Sequence, residues 1–145
     1  SNGDHISVPN VDGPARSLRM AIQQAGIDLR EIGYINAHAT STPKGDQNEA
    51  KALFSVFGDY RPEITSTKSQ TGHEMWMAGA SEIIYSMLMM KNEFIAPNIN
   101  FENPDEDSAK LNIPSVRVEK KFDTFLSNSF GFGGTNSTLI VRDIK

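Results

Sequence analysis

Two short polar segments contain the residues whose types are best suited to chemistry. His38 lies in "NAHATSTPKGD" (36–46), and Lys68 and His73 lie in "STKSQTGH" (66–73). A neutral imidazole donates one hydrogen bond and accepts another, so two of them can stabilise an oxyanion that develops during a reaction. A nearby lysine favours the neutral form of a histidine or the charged form of a carboxylate. If the two segments meet, the pattern predicts an oxyanion-stabilising site.

Each segment follows a predicted strand, and this position favours their meeting. The strands span 32–37 and 63–67, and each becomes small and polar at its carboxyl end. Sites in open α/β sheets form beyond the carboxyl ends of the strands. A single histidine in a loop is more often structural than catalytic, so the prediction rests on both histidines facing one crevice. His5, near the terminus, belongs to no comparable motif.

A third motif, "NSFGFGGTN" (128–136), combines three glycines with two phenylalanines. Glycine permits positive φ and a close approach of the backbone to another group. The motif lacks the lysine and the following helix of a phosphate-binding loop. Two interpretations stay open. The motif is either a turn between two strands or an apolar gate, formed by Phe130 and Phe132 on either side of Gly131.

Helices and strands alternate along the chain, and strands dominate its last third. Pro14 suits a first helical turn, and Gly26 and Gly58 suit helix ends. Asp46 is expected to cap the second helix, with Glu49 three residues on. The predicted helices span 14–25, 46–57 and 75–90. The further predicted strands span 94–100, 115–120, 124–130 and 137–143. This order predicts an α/β layered fold with a mixed sheet.

The bulk composition excludes several classes of function. Hydrophobic residues make up 38% and charged residues 22% of the chain, and no apolar run approaches the roughly 20 residues that span a bilayer. A net charge of −4 without a basic cluster argues against nucleic acid as partner. The absence of cysteine excludes a disulfide framework, a cysteine-bearing zinc site and a cysteine nucleophile within these 145 residues. The first ten residues lack the features of a signal peptide, which predicts the cytoplasm.

Four motifs stand in the order found in one enzyme family. The segments "NAHATSTPKGD", "STKSQTGH", "PNINFENPDE" and "NSFGFGGTN" resemble the signatures of the ketosynthases, the condensing β-ketoacyl-acyl carrier protein synthases of fatty acid synthesis. The elongating type II enzymes look most similar, and the resemblance runs from about Asp4 to the C-terminus. It implies one half of a duplicated thiolase-like fold. Residues 1–145 match the C-terminal half, so the nucleophilic cysteine would lie in an N-terminal half absent from this chain.

The resemblance also implies roles for matching residues. His38 and His73 would stabilise the enolate formed when malonyl-carrier protein loses CO₂. Lys68 would organise the site through Glu82. Phe132 would act as a gate, and its backbone N–H would form an oxyanion hole with that of the missing cysteine.

The implied substrate is an acyl group on the phosphopantetheine arm of acyl carrier protein, and no cofactor is implied on the enzyme itself. Asp46 would support the site. Substrate-binding residues would be Ser7, Thr40, Thr42 and Phe130. No metal is predicted, although four residues match positions that hold a monovalent cation in some members: Asn36, Glu82, Ser127 and Asn128. The full enzyme is expected to be a homodimer that binds neither nucleic acid nor a membrane.

Two features depart from the family pattern. Ala39 stands where the family usually has glycine, so its φ must either suit a Cβ or be strained. The small residues that usually follow the second histidine are replaced by Met75, Trp76 and Met77. Bulk at this point is expected to reshape the acyl pocket.

Two alternatives to a condensing enzyme remain at this stage. A non-catalytic partner similar to a chain-length factor would have no chemical need for His38, His73 and Lys68. A thiolase that uses coenzyme A shares the fold, but the histidine spacing and "GFGGTN" favour a ketosynthase. In either case, a half-domain is expected to expose apolar surface that its other half would cover.

Overall fold

A computed structural model describes residues 5–144. The helices are α1 (Asp12–Ala25), α2 (Pro43–Phe57), α3 (Lys68–Thr71) and α4 (Ala78–Lys91). The strands are β1 (Tyr34–Asn36), β2 (Glu63–Thr65), β3 (Phe94–Ile95), β4 (Val118–Glu119), β5 (Thr124–Phe130) and β6 (Asn136–Arg142). Short 3₁₀ turns span Leu29–Glu31, Met75–Met77, Ser108–Lys110 and Phe132–Gly134. Asp4, where the resemblance to the ketosynthases was placed to begin, lies outside the described residues.

The main sheet has the strand order β2-β1-β5-β6. Strand β1 pairs in parallel with both β2 and β5, and β6 runs antiparallel to β5. Strands β3 and β4 form a separate antiparallel pair. The carboxyl ends of β1, β2 and β5 therefore meet at one edge of the main sheet.

Alternate side chains of the main sheet enter two different cores, because successive residues of a strand face opposite sides. Ile35, Ile64 and Leu126 lie in one core, which is covered by α1 and α2. Tyr34 and Phe125 lie in the other, together with buried residues of α4 and β3. The result is an α/β layered fold with a mixed sheet and helices on both faces, as the sequence predicts.

Several predicted boundaries were wrong. The second helix begins at Pro43 rather than at Asp46, because proline suits the first helical position and Thr42 is already extended. Asp46 therefore lies inside the first turn and is not the N-cap. The third helix is interrupted, since 75–77 forms a 3₁₀ turn before α4.

The two strands of the small sheet are much shorter than predicted. Strand β3 ends at Ile95 and β4 begins only at Val118. Proline cannot donate to a strand ladder, and Pro97 and Pro114 fall within or beside the predicted extensions. Asn98 N–H instead donates to the Pro114 carbonyl at 2.8 Å. Among residues 5–144, no helix is long and apolar enough to cross a membrane.

Candidate active site

The polar motifs converge at the edge where the parallel strands end. Asn36, the last residue of β1, is in register with Thr65 of β2 and Ser127 of β5. His38 follows β1 by two residues, and Lys68 follows β2 by three. The sequence-predicted convergence of "NAHATSTPKGD" and "STKSQTGH" is therefore present in the fold.

The two histidines lie next to each other. The ring centroids of His38 and His73 are 5.7 Å apart, and the rings stand edge to face at 87°. Phe130, at the end of β5, packs against His38 with ring centroids 5.7 Å apart. Residues from three separate motifs thus form one cluster.

His38 is held in its neutral form. The ring is half-buried, and burial lowers the pKa of His38 from 6.5 to about 4. Burial is the largest cause of this shift, and the nearby positive charge of Lys68 contributes to it. A neutral imidazole can donate a hydrogen bond to an oxyanion without first losing a proton.

One hydrogen bond decides which nitrogen of His73 carries a proton in the neutral ring. The backbone N–H of Met75 donates to His73 Nδ1 at 3.0 Å. Because Nδ1 accepts, the proton of a neutral His73 sits on Nε2. His73 itself is exposed, so Nε2–H is available as a donor at the sheet edge.

Lys68 and Glu82 form a buried ion pair beneath the histidines. Their side chains are only 5% and 3% exposed, and Lys68 Nζ donates to Glu82 Oε1. Burial raises the pKa of Glu82, and the charge and hydrogen bond of Lys68 oppose that rise. Removal of either side chain would leave the charge of the other buried without a partner. Each member of the pair therefore depends on the other to remain charged in the interior.

Glu49 of α2 positions the loop after β1, and the sequence analysis missed this role. Its two carboxylate oxygens accept the backbone N–H groups of His38 at 2.9 Å and Ala39 at 2.8 Å. Asn128 Nδ2 also donates to it, at 3.1 Å. Burial raises the pKa of Glu49, and these donors oppose the rise by favouring the charged form.

The helical pattern of α2 contained a signal for Glu49. Glu49, Leu53 and Phe57 recur every four residues and are all buried. A carboxylate on the buried apolar face of a helix requires partners. The predicted capping box assigned Glu49 to the helix end instead, which was wrong.

The backbone of the same loop is strained at two residues that are not glycine. Ala39 has φ of 23° and Ser41 has φ of 63°. Positive φ brings the Cβ of an L-residue close to its own backbone and costs about 1–2 kcal/mol. Of the two alternatives that the sequence left open for Ala39, the strained backbone is the one present, and Glu49 accepts the N–H of this strained residue.

A cleft of about 1270 Å³ opens in front of the two histidines. All four predicted substrate-binding residues line it, and so does Phe132: Ser7, Thr40, Thr42, Phe130 and Phe132. The Thr40 and Thr42 hydroxyls lie 3.3 Å apart. Gly45 leaves room for the Thr42 hydroxyl, since a Cβ at residue 45 would come within 2.3 Å of Thr42 Oγ1.

Phe132 projects into solvent from a turn that is tied at both sides. Its side chain is 79% exposed. Gly131 N–H donates to the Thr135 carbonyl at 2.7 Å, and Gly133 N–H donates to the Ile6 carbonyl at 2.9 Å. Gly133 has φ of 77°, which glycine adopts without strain. The segment "NSFGFGGTN" therefore contains the predicted turn between strands β5 and β6, while a gate formed by its phenylalanines stays a prediction.

Asp46 lies on the wall of the same cleft. Burial raises its pKa, while the backbone N–H groups of Thr42, Ser41 and Thr40 oppose that rise. The carboxylate therefore sits against the loop that carries both threonine hydroxyls.

The four residues matched to a cation site also approach the sheet edge. Asn36 Nδ2 donates to Ser127 Oγ at 3.4 Å, and Asn128 follows Ser127 on β5. Two buried oxygens, Asn36 Oδ1 and Glu82 Oε2, have no hydrogen-bond partner within residues 5–144. Buried acceptors without a donor are the kind of group that a cation satisfies.

Comparison with known protein families decides the classification. A profile described as "Beta-ketoacyl synthase, C-terminal domain" matches residues 1–102. The chain belongs to this family. Strands β5 and β6 fall outside the matched range, yet they complete the sheet on which this ketosynthase site is built.

Three similar proteins illustrate the relationship. The 3-oxoacyl-[acyl-carrier-protein] synthase 1 of Escherichia coli (strain K12) is 47% identical over 145 residues, which is 100% of this chain and 35% of that protein. The structure titled "The ishigamide ketosynthase/chain length factor" is 36% identical with a TM-score of 0.94, covering 99% of this chain and 36% of that one. A type II polyketide ketosynthase in complex with its acyl-carrier protein, AntDE:AntF, is 33% identical with a TM-score of 0.91, covering 99% and 36%.

This ketosynthase domain spans about a third of the length of the curated relatives that it matches. The structural similarity confirms the thiolase-like ketosynthase fold implied by the four motifs.

Proposed function

We propose that this chain supplies the histidine-bearing half of a condensing enzyme that elongates acyl carrier protein thioesters. The observation that carries the proposal is the pair of adjacent imidazoles, His38 and His73, with ring centroids 5.7 Å apart. His38 is neutral, and His73 has its Nδ1 occupied as an acceptor. Two N–H donors on adjacent rings suit a reaction that develops negative charge on a single oxygen.

The proposed reaction is a decarboxylative Claisen condensation. Malonyl-carrier protein loses CO₂, and the electron pair of the broken C–C bond forms a thioester enolate whose oxygen accepts hydrogen bonds from both histidines. The enolate carbon then attacks an acyl thioester held on a cysteine. A new C–C bond forms, the C–S bond breaks, and the cysteine leaves as thiolate. No external oxidant or reductant is required.

Other residues of the site have supporting roles in this proposal. Lys68 keeps His38 neutral through its charge and is itself held by Glu82. The backbone N–H of Phe132 contributes to an oxyanion hole for the acyl carbonyl, and its exposed side chain gates the cleft. Phe130 orients the His38 ring.

The substrate would reach the site through its phosphopantetheine arm. Hydroxyl groups line the cleft at Ser7, Thr40 and Thr42, and they are suited to the amides of such an arm. Asp46 supports the loop that carries the threonines. Acyl carrier protein is the proposed partner, and a similar ketosynthase has been solved with its own acyl-carrier protein.

The remaining parts of the proposal concern the whole enzyme. An N-terminal half supplies the cysteine, the complete enzyme is a homodimer, and it works in the cytoplasm. A monovalent cation would be held by Asn36, Glu82, Ser127 and Asn128, since two of their buried oxygens lack a donor within residues 5–144. In that position it would bind the oxygen of Glu82 that Lys68 does not contact and fix the ends of β1 and β5.

The test is replacement of each histidine in the full-length enzyme. His38→Ala and His73→Ala should each lower malonyl decarboxylation and condensation by about 10²- to 10³-fold, the effect of removing one oxyanion donor. Transfer of an acyl group to the cysteine should persist, since the histidines act after it. Gln24→Ala, an exposed position on α1 away from the cleft, serves as the control. Wild-type rates of decarboxylation in either histidine variant would refute the proposal.

The same experiment separates the enzyme from a non-catalytic partner subunit. A chain-length-factor-like protein would show no decarboxylation in its wild-type form, with or without the histidines. Retention of His38, His73 and Lys68 in one cluster favours the enzyme.

A further inference from the structure

Trp76 lies on the wall of the cleft that contains both histidines. It follows His73 by only three residues, and Met75 lines the cleft beside it. Nothing in the proposed reaction uses either side chain. A large aromatic residue beside the reacting groups therefore needs an explanation of its own.

The turn that carries Trp76 is fixed to the catalytic cluster. Met75 N–H donates to His73 Nδ1 at 3.0 Å, and Met77 N–H donates to the Glu74 carbonyl at 3.2 Å. The side chain of Glu74 accepts the Tyr85 hydroxyl at 2.9 Å, which ties the turn to α4. The position of residue 76 relative to His73 is thus set by hydrogen bonds on both sides.

The backbone of this turn is strained. Met75 has φ of 55°, a conformation that costs an L-residue about 1–2 kcal/mol. Strained residues persist where the surroundings impose them, and they cluster at functional sites.

The indole makes almost no contact with its own half of the fold. Trp76 is 99% exposed, so it adds nothing to either core. A side chain that projects from a fixed turn into a cleft occupies space that a substrate would otherwise use. The glycines and alanines nearby, such as Ala78 and Gly79 on the same wall, leave that space open.

From this geometry we infer that Trp76 limits the size of the acyl group that the enzyme accepts. This inference rests on the proposed condensing function. An acyl chain on the missing cysteine lies within reach of His73 during condensation, and the indole three residues further on blocks chains that extend past it. The preferred substrates are therefore short acyl thioesters.

The experiment compares saturated acyl thioesters, from butyryl to tetradecanoyl, in the full-length enzyme and in Trp76→Gly. Each methylene that a pocket admits or excludes changes kcat/KM by about 10-fold or more. The wild type should therefore discriminate against the longer chains. In the variant, kcat/KM for those chains should rise by roughly 10-fold or more, with little change for butyryl. Trp76→Phe should give an intermediate profile.

Met77→Ala is the matched control. Met77 belongs to the same turn and is exposed, but it is not among the described residues that line the cleft. Its replacement should leave the chain-length profile unchanged.

Three outcomes would overturn the inference. The profile of Trp76→Gly could match that of the wild type, the variant could lose activity equally for every chain, or Met77→Ala could shift the profile as much. Failure of the proposed function gives a different result, since no thioester would then be condensed by the wild type. Thermal unfolding of each variant separates lost folding from altered selectivity.

Discussion

At the scale of single residues, the site keeps His38 uncharged although its ring is only half-buried. Burial lowers the pKa of His38, and the positive charge of Lys68 nearby lowers it as well. Lys68 can remain charged in a buried position because Glu82 is its partner. Glu82 thus stabilises the charge of Lys68, which in turn helps to lower the pKa of His38.

The low pKa of His38 predicts how stability depends on pH. Above pH 6.5 the histidine is neutral in both the folded and the unfolded chain. Between pH 6.5 and about 4 the unfolded chain binds a proton that folded His38 does not, so the free energy of unfolding falls as the pH is lowered. The slope is at most about 1.4 kcal/mol per pH unit.

The measurement is urea unfolding of the wild type and of His38→Gln at several pH values across this window. The wild type should lose stability relative to the variant as the pH falls, while the contributions of Glu49 and Glu82 cancel in the difference. His5→Gln, at an exposed histidine outside the cluster, should follow the wild type. A constant difference between wild type and His38→Gln would mean that His38 titrates normally.

At the scale of elements, helix α2 and strand β1 are joined by one carboxylate. Glu49 accepts the N–H groups of His38 and Ala39 and the side chain of Asn128. Asn128 in turn accepts the Thr138 hydroxyl of β6 at 3.0 Å. A movement of α2 would therefore displace the backbone of His38 through Glu49.

Glu49→Ala should loosen this loop while the rest of the sheet stays folded. Two buried N–H groups lose their acceptor, which lowers the free energy of unfolding by about 1–3 kcal/mol. Amide hydrogen exchange of His38 and Ala39 should become faster than in the wild type, whereas exchange in β5 should not.

Two further variants calibrate this result. Glu49→Gln retains one acceptor oxygen and should leave one of the two amides protected. Asn48→Ala, on the same helix, removes only a bond to the Pro9 carbonyl and should leave both protected. Unchanged exchange at His38 in Glu49→Ala would show that the carboxylate does not hold the loop.

The sequence predicts an element well where the pattern is local. Strand β5 was predicted at its observed bounds, because Thr124, Phe125 and Leu126 favour a strand and Gly131 follows its last residue. The convergence of His38 and His73 was also predicted from local signals, since each histidine belongs to a polar motif at the carboxyl end of a strand. Parallel pairing then brings such ends together.

Features that depend on long-range packing could not be predicted. Glu49 lies 79 residues from Asn128, and only the fold places α2 over the end of β1. The tautomer of His73 depends on the turn at Met75, whose positive φ no sequence rule predicts for methionine. The short β3 and β4 depend on where Pro97 and Pro114 end the pairing.

At the scale of the whole molecule, α4 has apolar groups on more than one side. Met89 is buried beneath the sheet, yet Ile84, Met87 and Leu88 on the same helix are each about half exposed. A helix that is apolar all round is normally buried. The expected apolar surface is therefore present, and we propose that the missing half covers it.

An isolated chain with this surface should self-associate. Replacing Ile84 and Leu88 together by lysine should yield a monomer in sedimentation velocity, because charge on the helix opposes association. The circular dichroism spectrum should be preserved, since both side chains project away from the core. In the full-length enzyme the same pair should reduce stability.

Val116→Lys provides a matched control. Val116 is 70% exposed and lies in the loop before β4 rather than on α4. This variant should associate like the wild type. A wild-type chain that is monomeric at all concentrations would contradict the proposed role of the α4 surface.

The order of strands in the main sheet has a consequence for synthesis of the chain. Strand β1 lies between β2 and β5, and 91 residues separate Asn36 from its neighbour Ser127. At about 5–20 residues per second, β1 waits roughly 5–20 s for β5. During that interval the edge of β1 that later pairs with β5 has no partner strand. Strand β6 can join the sheet only after β5 has been added. Contacts between β5 and this edge of the sheet, such as the packing of Phe130 against His38, therefore form only after β1 and β2 have both been synthesised.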